Sequence, residues 1–312
     1  MNVPTFVRWY RSLFLQSNRL FYLAFFRVFI SVVILWKIVA LWPSVQFLYG
    51  TNGLFETPND VALGFIPKTL ILQHLTQFYL AFAALTTLML FGIGRRWTVG
   101  LVIAALKIHD ELLWILLDGG DNLMQFSLLY LFFADSFSYL SIFKTPPSEK
   151  KYAISHLFTN IAVGAIIGHL CLAYMISGLS KAHAEVWYNG TAMYYILMGE
   201  RFQGTKVWNF FVANSEVLNV VVCYTTIILE SVFPFAVFVK RLRVPVLLMG
   251  MSMHLSIFVL MMIQTFQFIF IFHYGFFFTD AEWLGFVDKV RRRMGMSPGA
   301  SGRLGVTDQV AS

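Results

Sequence analysis

The chain has 312 residues, of which 58% are hydrophobic, 17% aromatic and only 12% charged, and its 33 phenylalanines exceed what one soluble core could bury. That composition excludes an ordinary soluble domain and predicts an integral membrane protein. The formal net charge of +7 invites a nucleic-acid reading, but the basic residues flank apolar runs, so the bilayer is the expected partner and nucleic acid is not.

Apolar runs of about 20 residues, the length a helix needs to cross roughly 30 Å of hydrocarbon, recur along the chain, without the ten-residue alternation of an outer-membrane barrel. The predicted fold class is all-α: a polytopic membrane helical bundle of about eight transmembrane helices, with an interfacial or re-entrant element after the fifth. Residues 1–19 form a cytoplasmic N-terminal segment with Arg8, Arg11 and Arg19. No small-residue cleavage site ends the run that follows, so it reads as a retained first span and not as a signal peptide.

The spans are expected near residues 20–42, 75–94, 97–117, 123–142, 154–180, 217–239, 244–263 and 266–280. Arg95 and Arg96 follow the second, Lys144, Lys150 and Lys151 the fourth, and Lys240, Arg241 and Arg243 the sixth. All then fall on one side, which the positive-inside rule makes cytoplasmic. Lys289 and Arg291 to Arg293 put the C-terminus on that side too, so the run from Val244 to Thr279 must cross twice. As a single helix it would be about 54 Å long, which favours a hairpin turning near Gln264 to Gln267.

Three segments face the other side: 43–74, the LLDGGDNL turn, and the piece from Lys181 to Glu216, which is too long for a simple connection and rich in interfacial aromatics. The membrane domain runs over 20–286, followed by a basic tail at 287–312 that is polar and disordered beyond Gly295. Cys171 and Cys223 lie singly in apolar segments and read as buried free thiols.

Ionisable groups at membrane depth are costly and mark candidate sites. Lys181 comes first: a lysine stripped of water becomes a competent general base, with His183 and Glu185 placed to tune or relay its proton. The competing reading is a lysine at a helix end that snorkels to the headgroups. A second group gathers Lys107, His109, Asp110, Glu111, Asp118 and Asp121 within one helix end and a turn. There Lys107 and Glu111 are spaced to pair on one face, and Asp121 suits a helix start. The competing reading is a satisfied polar cluster with a capping aspartate.

Asp118 and Asp121 lack a histidine partner, so no metal ligand set is predicted. His169, His254 and His273 read as hydrogen-bonded packing residues, and Arg27, Lys37 and Glu230 as embedded charges that pair across helices.

Four blocks, YMISGLSKAHAEVWYNGTAMYY from Tyr174, FRVFISVVILWKI from Phe26, DGGDN from Asp118 and MHLSIFVLMM from Met253, resemble the horizontally transferred transmembrane (HTTM) domain, the membrane core of vitamin K-dependent gamma-carboxylase. Their order and spacing cover roughly residues 18–285. In that family a lysine in the first block deprotonates vitamin K hydroquinone; by motif it is Lys181, and Trp187 and Gly190 match the same block. The resemblance implies reduced vitamin K or another quinol as cofactor, and binding roles for Tyr174, Asn122 and His254 beside the 107–121 group.

The chain departs from the carboxylase in reading GGDNLMQF where a histidine stands before the fourth span, and in having nothing after Phe286 to form the large substrate-binding region. In these respects it is similar to short bacterial HTTM proteins such as the sporulation-delaying-protein B family, implicated in maturing a secreted toxin peptide. The function so implied is a carboxylase-like membrane protein that modifies or matures a secreted peptide. A non-catalytic factor that binds or presents a peptide or partner membrane protein is the alternative, followed by a transporter or proton pathway.

Overall fold

The computed structural model describes residues 13–15, 17–50, 52–54, 61–143, 154–199 and 204–295. Arg8, Arg11, Lys144, Lys150, Lys151 and the polar tail beyond Gly295 lie outside the described residues.

The described chain is built from helices: α1 (Leu20–Leu41), α2 (Val45–Tyr49), α3 (Lys68–Gln73), α4 (Leu75–Leu90), α5 (Arg95–Leu112), α6 (Gly119–Phe133), α7 (Ile154–His183), α8 (Glu185–Tyr188), α9 (Ala192–Met198), α10 (Lys206–Ala213), α11 (Glu216–Ala236), α12 (Arg243–Met261), α13 (Gln264–His273) and α14 (Asp280–Arg293). One short antiparallel pair, β1 (Val61–Ala62) with β2 (Ile66–Pro67), interrupts the segment between α2 and α3.

Among the described residues four helices are long and apolar enough to cross a membrane: α1 with 22 residues, α7 with 30, α11 with 21 and α12 with 19. Their outward faces stay apolar, with Val32, Trp36 and Val39 exposed on α1 and Val221, Ile228 and Phe235 on α11, a surface suited to lipid contact. The other four predicted spans correspond to shorter elements. The second is α4, with 16 residues, and the third ends at Leu112 before a 3-10 turn over Trp114–Leu116. The fourth stops at Phe133, and the eighth is α13 continued by a 3-10 turn over Tyr274–Phe277.

The run after Val244 does turn back. Met262 takes a left-handed φ of 56° and ends α12, and α13 starts two residues on. His254 then meets Gln267 and Phe270, while Gly250 faces Tyr274, the pairing of an antiparallel hairpin. Its turn sits at Met262 and Ile263, slightly before the predicted 264–267.

α1 packs on α4, α5 lies between α4 and α6, and α6 continues the packing to α7 and α13; the most extensive contact is α7 against α11. Leu23, Phe26, Met89, Met124, Leu128 and Phe276 fill the core between them. Arg27 is completely buried there. Among the described residues it meets no carboxylate. Its guanidinium donates to the carbonyls of Met89, Leu90 (3.0 Å), Ser136 (3.1 Å) and Leu140 (2.6 Å) and to Ser141 Oγ (3.1 Å). Two of these are last-turn carbonyls of α4, at the negative end of its dipole; that of Met89 also accepts the N–H of Gly92 at 3.0 Å.

One end of the bundle collects basic residues. Arg19 donates to the carbonyl of Phe276 and Arg243 to that of Phe277, while Phe21 packs edge-on to Tyr139. Asp280, which begins α14, accepts the backbone N–H groups of Phe21 (3.0 Å) and Tyr22 (3.2 Å) and so ties the last helix to the first. A capping box between Thr279 and Glu282 starts α14, which runs on through the predicted 286/287 boundary.

Candidate functional site

Lys181 stands in the last turn of α7. Its ammonium donates to Glu230 Oε2 at 2.7 Å on α11 and to Ser177 Oγ one turn below, and lies 5.1 Å from the centre of the Trp187 ring. The lysine side chain is 21% exposed and the glutamate 9%, so the pair is shielded on one side and reachable on the other.

Two local features bring it together. Gly178 has no Cβ, and one built there would stand 2.6 Å from Ser231 N and 2.9 Å from Glu230 Cβ; only glycine lets α11 approach this closely. Pro234 lies inside α11 and has no N–H, so the carbonyl of Glu230 lacks its usual partner four residues on. Gly190, at φ +73° with Val220 against the place of its missing Cβ, turns the chain after α8 back onto α11. Tyr224 secures that turn by donating to the carbonyl of Tyr188 at 2.7 Å.

His183 is not part of this centre. It is exposed and bonds through Nδ1 to the carbonyl of Leu179 on its own helix. Two residues apart on a helix, positions 181 and 183 point in different directions. Glu185 is exposed at the start of α8 and is linked to Asn189.

Behind Glu230 lies a buried polar string. Tyr174 OH contacts both His254 Nε2 (2.6 Å) and Tyr274 OH, and His254 Nδ1 meets Gln267 Oε1. Tyr174 also stacks on Phe233, three residues from Glu230 on α11, with ring centroids 4.1 Å apart. With Gln267 accepting, His254 carries its proton on Nδ1, so Nε2 accepts from Tyr174. Of the other lone histidines inside apolar helices, His273 meets Ser127 and the carbonyl of Ile269, and His169 meets Tyr130.

The 107–121 group forms a second centre. Asp118 and Asp121 make a capping box at the start of α6, and Lys37 of α1 forms an ion pair with Asp121. Burial and the neighbouring Asp121 carboxyl hold the Asp118 carboxyl above its ordinary value, against the opposing pull of the Gly120 and Asp121 N–H groups and of Lys37. Asp110 accepts from Gln125, and His109 Nδ1 meets Tyr79 OH at 3.1 Å.

Lys107 and Glu111 do not pair. Lys107 borders an apolar cavity of about 170 Å³, and Glu111 instead accepts the N–H of Leu63 at 3.3 Å. Asn122 is exposed. A larger cavity of about 270 Å³ opens beside Lys37 and His109, walled by Trp36, Leu113 and Leu117. Neither cavity is lined by Lys181 or His183, and no hydrogen bond among the described residues joins Lys181 to the 107–121 group. The sequence therefore yields two separate polar centres and not one. Among the described residues no three His, Cys, Asp or Glu side chains gather as metal ligands, and Cys171 and Cys223 are both buried and free.

Sequence reasoning singled out Lys37 and Glu230 only as embedded charges, without their partners 84 and 49 residues away. It did not single out Tyr274, Gln267, Tyr79 or Gln125. The available signal for Gln267 and Gln125 was an amide inside an otherwise apolar helix. Comparison with family models, with curated proteins and with solved structures gives no match.

Proposed function

We propose that this chain is an HTTM-type membrane enzyme that modifies a secreted peptide, with Lys181 and Glu230 acting together as its proton-accepting couple. The observation that carries the reading is the 2.7 Å contact between them. A lysine acts as a base only as the free amine, and here a carboxylate stands within one proton transfer of the ammonium. Handing that proton to Glu230 leaves an amine on the half-open side of the pair. When the amine takes a proton from substrate, the Trp187 ring favours the new cation.

In the bilayer the eight-crossing arrangement has both termini in the cytoplasm, with Lys181 toward the opposite side. The gathering of Arg19 and Arg243 at the adjacent carbonyls of Phe276 and Phe277 supports it.

The test is mass spectrometry of peptides secreted by cells carrying the wild-type or the Lys181→Ala protein. Loss of a mass consistent with added carbon dioxide in the variant supports the reading; identical products contradict it.

One observation favours a second reading, a non-catalytic factor that presents a peptide. α8 to α10 each expose large aromatics: Tyr188, Tyr195, Trp208, Phe210 and Phe211. In that case Lys181→Ala leaves maturation intact, and changes over 187–205 abolish it.

A further inference from the structure

α14 is fastened to the rim of the bundle through its first turn. Asp280 accepts the N–H groups of Phe21 and Tyr22 at the start of α1, and Glu282 pairs with Arg243 at the start of α12 at 2.6 Å. Trp283 stacks on Tyr22 and donates to the carbonyl of Gly275 at 3.0 Å. Both α1 and α12 are long and apolar enough to cross a membrane, and both begin here. The first turn of α14 therefore stands where apolar helices meet the headgroups.

The rest of the helix is two-faced. Trp283, Phe286, Val287 and Val290 follow the i, i+3, i+4, i+7 spacing of one apolar stripe, which Met294 continues. Phe286 and Met294 are each 58% exposed. Lys289, Arg291, Arg292 and Arg293 share this half of the helix with one carboxylate, Asp288, and none of the four cations has an ion-pair partner among the described residues. A helix C-terminus favours cations in its last turn, which accounts for the arginines but not for the uncovered stripe beside them.

We infer that α14 lies along the membrane surface and binds anionic phospholipid headgroups, with its stripe against the acyl border and its arginines on the phosphates.

Charge decides the occupant. An anionic headgroup layer attracts lysine and arginine held close to it, and a guanidinium matches a phosphate with two parallel hydrogen bonds. A zwitterionic layer offers the phosphates without the net attraction. At about 3.6 residues per turn Arg291 and Arg293 flank the stripe on its two sides, so their stems cover apolar surface while their heads reach outward. An exposed apolar face joined to a basic polar one is the combination that holds a helix in the interface plane.

The test uses the full chain in nanodiscs of equal parts phosphatidylcholine and phosphatidylglycerol with identical acyl chains, and photoreactive benzoylphenylalanine in place of Phe286. Irradiation joins that side chain to what lies against it, and mass spectrometry identifies the adduct. Lipid adducts are expected, with phosphatidylglycerol exceeding phosphatidylcholine by about fivefold or more, the worth of one basic residue at an anionic surface. Joint substitution Arg291→Gln, Arg292→Gln and Arg293→Gln should bring the ratio close to one. Salt at about 0.5 M should do the same with the arginines in place. The same probe at Val221, exposed on the apolar face of α11, is expected to show no headgroup preference. Adducts to protein in place of lipid, equal amounts of the two lipids at 286, the same preference at 221, or a ratio unmoved by the substitutions and by salt would each overturn the inference.

Discussion

Lys181 and Glu230 meet at 2.7 Å because Gly178, one turn below the lysine, leaves no side chain between α7 and α11. A methyl group at 178 would press on the backbone nitrogen of Ser231, an atom that cannot move without shifting α11. Gly178→Val should therefore cost about 1–3 kcal/mol through overpacking and part the ion pair. Thermal unfolding of the purified protein measures the first effect. An unchanged melting temperature would show that the helices are not in this close contact.

Arg27 should be indispensable for folding and not for charge. Arg27→Met removes the side-chain donor from the carbonyls of Met89, Leu90, Ser136 and Leu140, of which Met89 alone keeps a backbone N–H, that of Gly92. A loss of more than about 3 kcal/mol is expected, and with it a fall in accumulated protein. Arg27→Lys should not rescue it, because one ammonium cannot reproduce the forked geometry. Rescue by lysine, read as protein level and melting temperature, would speak against the arrangement.

The ion pair of Lys37 and Asp121 should show strong coupling. Lys37→Met strands a buried carboxylate, whereas Asp121→Asn strands the ammonium while keeping an acceptor for the N–H of Asp118. The double variant should be more stable than the sum of the two losses, by about 1–3 kcal/mol in a double-mutant cycle. Additive losses would mean that the two residues do not meet.

Asp118 should leave a pH signature. Its carboxyl is held above the ordinary value in the folded chain, so the native state binds this proton more tightly than the unfolded one. Stability contributed by the group is then present below the unfolded value and declines as pH rises through the folded one. Asp118→Asn keeps a good helix cap and should flatten that decline in melting temperature. The wild-type and variant curves running parallel from pH 4 to pH 8 would contradict it.

How much of this was legible in the sequence depended on whether the deciding contact was local. The apolar runs marked α1, α7, α11 and α12 because length and composition alone decide them. The hairpin after Val244 followed from a run too long for one crossing, but its turn was set by Met262 in a left-handed conformation that no glycine or proline advertised. Lys181 stood out as a lysine at the end of an apolar helix. Its partner lies on another helix, and nothing local pointed to it.

His183 was drawn in by closeness in sequence, yet helical geometry turns it away. Lys107 and Glu111 had the spacing to pair, and Glu111 bonds to the hairpin of Leu63 instead. Asp118 and Asp121 were readable as a helix start because a capping box is complete within four residues.

The most direct measurement is the fraction of secreted peptide carrying the added mass, determined by mass spectrometry from cells producing matched amounts of wild-type, Lys181→Ala, Glu230→Gln and doubly substituted protein. If Lys181 and Glu230 form one proton-accepting couple, each single change removes the modified peptide and the double change does no further harm. Modified peptide persisting in Lys181→Ala cells at the wild-type fraction would contradict it.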